Sequence, residues 1–157
     1  MLDKIAKILI DNRLTVSTTE SCTGGLLSSA LTDISGSSAF IKLNFVTYSN
    51  DAKTKILQVS KKTLEQYGAV SEETAYEMAI GLHKATNSDI CISTTGIAGP
   101  TGGSAEKPVG LMYSAIYNSK TNQCKVFKTI LPSDIPRIEM KKRFVEEVIK
   151  NLYEFLT

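Results

Sequence analysis

Apolar residues at Leu2, Ile5, Ala6 and Leu9 fall at i, i+3, i+4 and i+7, one face of a helix that should end near Asn12. "LTVSTT" (14–19) then changes to a β-branched run and predicts a strand. "TGGLLSSALTDI" (23–34) returns to helical spacing, with Thr23 placed to open the helix. A long strand is expected over "FIKLNFVTYS" (40–49), followed by a helix over "NDAKTKILQV" (50–59) with Asn50 as its cap. "SEET" (71–74) resembles a capping box ahead of Ala75, Met78, Ala79 and Leu82. "DICISTT" (89–95) has the apolar character of a buried strand, and a loop of five glycines and two prolines (96–110) follows it. "LMYSAIYN" and "QCKVFKTIL" form a hairpin across Ser119–Asn122, and Ile138, Val145, Val148, Ile149, Leu152 and Leu156 mark a last helix. Strands alternating with helices predict one α/β domain whose helices cover a mixed sheet.

Composition narrows the class. A chain of 157 residues, 42% apolar and 22% charged, can bury a substantial core as one domain. The net charge of +2 is spread along the chain, and the cluster Lys141, Lys142, Arg143 lies within a helical pattern as a solvated face. Nucleic acid and membrane are therefore not expected as partners. No apolar run reaches the roughly 18 residues of a membrane span, and the N-terminal residues lack a signal-peptide pattern. Cys22, Cys91 and Cys124 are widely spaced and, with the single His83, suggest neither a disulfide framework nor a metal site. The expectation is a reduced, cytoplasmic protein with no metal or cofactor.

Two strand ends carry the candidate chemistry, "TTESCTGG" (18–25) and "STTGIAGPTGG" (93–103). Ligands of open α/β sheets bind beyond the carboxyl ends of strands, and a glycine-rich helix start offers free N–H groups to an anion. Thr23, Gly24 and Gly25 could cradle a phosphate on this reasoning, although neither stretch matches a P-loop or a dinucleotide fingerprint. A hydroxyl nucleophile needs a base, and His83 lies in mid-helix as a partly exposed helical residue. A lysine whose pKa is depressed can take that role. Lys53 is a candidate, but periodicity alone does not prefer it to Lys42, Lys55 or Lys61, and Cys22 competes with Ser21 as nucleophile.

"TTESCTGG", "DISGSSAF", "FVTYSNDAK", "GAVSEETA" and "TTGIAGPTGGSAEKPVG" together resemble the CinA C-terminal domain family across residues 2–156. Stand-alone members of that family include nicotinamide mononucleotide deamidases. The resemblance implies a three-layer α/β/α sandwich, a homodimer, and hydrolysis of the carboxamide of nicotinamide mononucleotide to nicotinate mononucleotide and ammonia. It places the family's catalytic serine on Ser21 and its lysine on Lys53, with its tyrosine on Tyr48 holding the lysine or relaying its proton. Substrate contacts are implied at Ser38 and Thr95, and at Gly96, Gly99, Gly102 and Gly103 of the long loop. One block departs from the family: in "SDIPRIEMK" Ile135 and Glu139 stand where arginines are usual, with Arg137 between them as the remaining candidate for the phosphate. That departure leaves room for a different class of function, a nucleotide-binding or regulatory module with weak or absent amidase activity, or for another amide substrate.

Overall fold

The computed structural model describes all 157 residues. Five strands form one mixed sheet in the order β2-β1-β3-β4-β5. β1 (Val16–Glu20) lies parallel to both β2 (Phe45–Val46) and β3 (Ile90–Gly96). β4 (Leu111–Asn118) runs antiparallel to β3 and to β5 (Gln123–Ile130), and the β4–β5 hairpin turns across Ser119–Asn122 as its sequence predicts. Helices α1 (Leu2–Asp11), α2 (Leu26–Thr32) and α6 (Arg137–Leu156) cover one face. On the other, α5 (Glu72–Thr86) lies across β1, β3 and β4, with α3 (Asn50–Leu57) and α4 (Lys61–Tyr67) packed on it. The result is the expected α/β/α sandwich.

The larger core joins Ile5 and Leu9 of α1, Leu27 and Leu31 of α2, and Phe144, Val148 and Leu152 of α6 to Val16, Ile90, Ile92 and Ile116 of the sheet. β1 is buried along its whole length although four of its five residues are polar. Each polar side chain has a partner, as burial in an apolar interior requires. Ser17 bonds Ser88 at 2.6 Å, Thr18 bonds Ser28 at 2.8 Å, and Thr19 bonds Thr47 at 2.8 Å. These links tie the central strand to the elements that carry the site.

The structure corrects four local expectations. The long strand over 40–49 contracts to Phe45–Val46, and only an isolated bridge from Ile41 to Val16 precedes it. A 3-10 turn over Ser37–Ala39 leads into this segment, and Asn44 turns its side chain to accept from the Thr18 N–H, 3.0 Å away. α2 is capped by Gly25 (φ +104°) rather than opened by Thr23, whose hydroxyl is engaged by Glu20. α3 is capped by the Ser49 side chain, which accepts from the Ala52 N–H, so Asn50 is the first helical residue. α4 was not expected, because "KKTLEQY" packs only Leu64 against the core and shows no apolar period. Ser71, by contrast, caps α5 as predicted, accepting from the Thr74 N–H at 3.1 Å.

α3 and α5 meet where α5 has no side chain. A Cβ on Gly81 would overlap the Leu57 carbonyl at the end of α3. Gly81→Ala must push the helices apart, and overpacking of this kind costs about 1–3 kcal/mol. A denaturation midpoint lowered accordingly in urea, with no change of slope, is the expected result.

Candidate functional site

β1 and β3 end side by side, and the chain leaves both into loops. A cavity of about 350 Å³ opens there, lined by Ser21 and Cys22 after β1, by Tyr48, Asn50 and Lys53, by Ala69 and Val70, and by the loop after β3. Ser21 is fixed by its own backbone: its N–H donates to the Thr94 carbonyl at 3.1 Å and lies 3.3 Å from the Thr94 hydroxyl. Lys53 comes from the second turn of α3 and is 1% exposed. Its Nζ lies 3.2 Å from Ser21 Oγ and 3.3 Å from the Tyr48 carbonyl, which is 3.4 Å from Ser21 Oγ. A protonated amine donates to both oxygens while the hydroxyl donates to the carbonyl. A neutral amine instead offers its lone pair to the hydroxyl proton.

Burial shifts the balance of this amine towards its neutral form. Burial lowers the Lys53 pKa below its ordinary 10.5, and none of the molecule's ion pairs includes it. No aspartate or glutamate lines the cavity. Cys22 next door is driven the other way, its thiol pushed up to about 12 by burial against the opposing hydrogen bond from Thr94. A thiol in that state supplies no thiolate at neutral pH, and of the two rival candidates only Ser21 has its side chain within hydrogen-bond distance of Lys53.

A match to the model of the CinA C-terminal domain extends over residues 1–156. The chain belongs to the CinA C-terminal domain family. A CinA-like protein of Chlorobium limicola is 43% identical over 155 residues, which are 98% of this chain and 36% of the relative. One from Chloroherpeton thalassium is 46% identical over 154 residues, again 98% of this chain but 37% of the relative. The chain thus spans little more than a third of these relatives. Among solved structures, a competence/damage inducible protein from Agrobacterium tumefaciens superposes with a TM-score of 0.87 at 42% identity, covering 97% of this chain and 95% of that one. A competence or damage-inducible protein from Enterobacter asburiae gives 0.93 at 31% identity, with 99% and 96% covered.

Seen as a CinA domain, the molecule gathers some of the anticipated residues and separates others. Ser21, Lys53, Tyr48, Thr95, Gly96, Gly99, Gly102 and Arg137 all reach the cavity. Tyr48 does so in a way the sequence did not suggest. It is the main-chain carbonyl that meets Lys53 and Ser21, while the phenol is 61% exposed and accepts from Arg137 Nη2 at 3.1 Å. Arg137 Nη1 also donates to the Gly99 carbonyl at 2.6 Å, so the guanidinium spans the mouth. The neighbouring departures do not compete with it: Ile135 packs on the core and Glu139 faces Arg143 at 3.8 Å. Thr95 lends its hydroxyl to the Ala69 carbonyl at 2.7 Å and so holds the α4–α5 connection against the cavity.

Thr23, Gly24, Gly25, Ser38 and Gly103 lie outside the cavity wall. The expected phosphate cradle at the start of α2 is already filled by Glu20. This fully buried carboxylate accepts from Thr23 Oγ1 at 2.6 Å, from the N–H groups of Gly25, Leu27 and Ser28 at 3.2, 2.8 and 3.0 Å, and from Ser28 Oγ at 2.6 Å. A second anion has no place there. Glu20 itself escaped the sequence reading, as did the apolar wall of Ala69, Val70, Ile97 and Ala98. An acid between a β-branched strand and a glycine pair was the available signal for Glu20.

The depressed pKa of Lys53 has a consequence for stability. Between that lowered value and 10.5 the unfolded chain holds more protons than the folded one, so stability rises with pH across the window. Below the lowered value the penalty of burying the ammonium is fully present. Lys53→Met removes this dependence. Urea denaturation of both proteins from neutral to alkaline pH should show the native protein gaining on the variant as pH rises, and a constant difference would contradict the assigned direction.

Proposed function

We propose that this CinA domain hydrolyses the carboxamide of nicotinamide mononucleotide, releasing nicotinate mononucleotide and ammonia. The observation that carries the reading is the buried amine of Lys53, unpaired with any acid, 3.2 Å from the Ser21 hydroxyl. Neutral Lys53 takes the proton as Ser21 Oγ attacks the carboxamide carbon. The resulting ammonium returns that proton to the departing amide nitrogen, and ammonia leaves behind a nicotinoyl ester on Ser21. Water, deprotonated by the same amine, then cleaves the ester and restores the hydroxyl. A cationic pyridinium ring beside Lys53 further disfavours its protonated form.

The shape and charge of the cavity support a substrate of this kind. Ala69, Val70, Ile97 and Ala98 offer an apolar wall to a flat ring. At the mouth stands Arg137, and the N–H groups of Gly99, Thr101 and Gly102 donate no hydrogen bond within the protein. Guanidinium and free main-chain donors together suit a phosphate. As further proposals, the protein acts as a cytoplasmic homodimer and takes neither nucleic acid nor membrane as partner.

Ammonia release measured against nicotinamide mononucleotide, nicotinamide riboside, nicotinamide and NAD tests the reading. Turnover is expected with the mononucleotide. Ser21→Ala should lose about two to three orders of magnitude in kcat, as when a covalent step is removed. If thiol alkylation stopped turnover while Ser21→Ala stayed active, the nucleophile would be Cys22.

Two further variants divide the roles. Lys53→Arg keeps the charge but cannot supply a neutral nitrogen, so it should be nearly as impaired as Lys53→Ala with substrate still bound. The native kcat/KM should rise with pH through a group below the usual lysine range. Arg137→Ala should raise KM for the mononucleotide and leave the riboside, which has no phosphate, nearly unchanged. Nucleotide binding without ammonia release from any of the four compounds would instead favour a binding or regulatory module.

A further inference from the structure

Glu20 precedes the candidate nucleophile and does not line the cavity. Its carboxylate is nevertheless among the most heavily hydrogen-bonded side chains of the molecule, with three main-chain donors and two hydroxyls. All of these belong to the turn that follows Ser21 or to the first residues of α2. Thr23 Oγ1, held by Glu20 at 2.6 Å, is also 2.9 Å from Thr94 Oγ1, so the turn is fastened to β3 as well.

The main-chain donors of this turn divide into two sets. Gly24 N–H donates to the Ser21 carbonyl at 3.2 Å and Gly25 N–H to Glu20 Oε1 at 3.2 Å. The N–H groups of Cys22 and Thr23 donate to no other residue. Cys22 lines the cavity next to Ser21. When Ser21 Oγ adds to a carbonyl carbon, the carbonyl oxygen becomes an anion and needs a donor fixed in advance. We propose that the Cys22 N–H is that donor and that Glu20 is the positioning residue that fixes the turn presenting it. The proposal rests on the Ser21 nucleophile of the preceding reading.

Glu20→Gln tests it with little change of volume. One amide oxygen can keep the Thr23, Gly25 and Leu27 partners, but the amide nitrogen then faces the Ser28 N–H, donor against donor. The turn must shift to relieve that contact. The readout is the rate at which a fluorophosphonate, whose P–O oxygen occupies the same anion position, modifies Ser21, followed by mass spectrometry. Because this reagent needs no particular substrate, it separates the positioning role from the identity of the amide. kcat and KM for nicotinamide mononucleotide are measured alongside, with circular dichroism and a thermal melt to establish the folded fraction.

Loss of one oxyanion donor costs about 10²–10³ in rate, and a displaced donor should cost about tenfold or more. The expected result for folded Glu20→Gln is therefore Ser21 labelling and kcat both slowed about tenfold or more, with KM little changed. Thr23→Val, which keeps the shape and removes one hydroxyl link, should move the same way by a smaller factor, and decides the matter if Glu20→Gln does not fold. Native labelling rates in either folded variant, or a loss that merely follows the folded fraction, overturn the positioning role. Ser21 labelling in a native protein inert towards nicotinamide mononucleotide removes the proposed substrate and leaves the Glu20 comparison to be judged on labelling. No labelling of Ser21 in the native protein overturns both.

Discussion

Lys53 is buried without a carboxylate, and the rest of the site follows from that constraint. An ammonium removed from water is costly unless an opposite charge or a set of strong acceptors replaces the lost hydration. Here the replacement is weak: one hydroxyl and one main-chain carbonyl, both beyond 3 Å. The contrast with Glu20 is instructive. The carboxylate is equally inaccessible but meets five donors. One buried charge has been satisfied and serves as a fastening; the other has been left poorly solvated and is correspondingly ready to lose its proton.

The scaffold makes this arrangement possible by bringing chain segments far apart in sequence to one end of the sheet. β1 and β3 are parallel neighbours, so their carboxyl ends open on the same crevice. Hydroxyls of β1 and β3 lock these strands to α2 and α5, and the turn after β1 is held from below by Glu20 and from the side by Thr94. α3 delivers Lys53 from above, its distance from α5 set by the bare backbone of Gly81. The mouth is spanned by a long-range contact, Arg137 of α6 reaching Tyr48 and Gly99.

Much of the fold was legible because periodicity reports burial directly. α1, α5, α6 and the hairpin follow their apolar spacing closely. What failed was local structure decided by polar side chains. Asn44 and Ser17 take up main-chain donors around the expected second strand, and Glu20 displaces Thr23 from its capping role. Neither competition leaves a mark on hydrophobic patterning. At the site, residue types pointed to Ser21 and to a lysine, but choosing Lys53 among four lysines required the family resemblance. Geometry then separated the two atoms of Tyr48 that sequence could not distinguish. Ala69 and Val70 were hidden for a different reason: their place on the wall depends on Thr95, a partner 26 residues away.

The brevity of β2 has one more implication. Its ladder ends at the Glu20–Val46 pair, with a last main-chain bond from the Thr47 N–H to the Glu20 carbonyl at 2.9 Å. Beyond that point the Tyr48 carbonyl has no strand partner and is free to turn towards Lys53 and Ser21. A sequence redesigned to extend the edge strand through residue 49 would commit that oxygen to the sheet and improve the local hydrogen bonding. It would also strip the amine and the hydroxyl of their shared acceptor. Perfecting the sheet and keeping the Ser21–Lys53 contact are opposed aims here, and an engineer seeking stability in this domain would do better to work on the β4–β5 side.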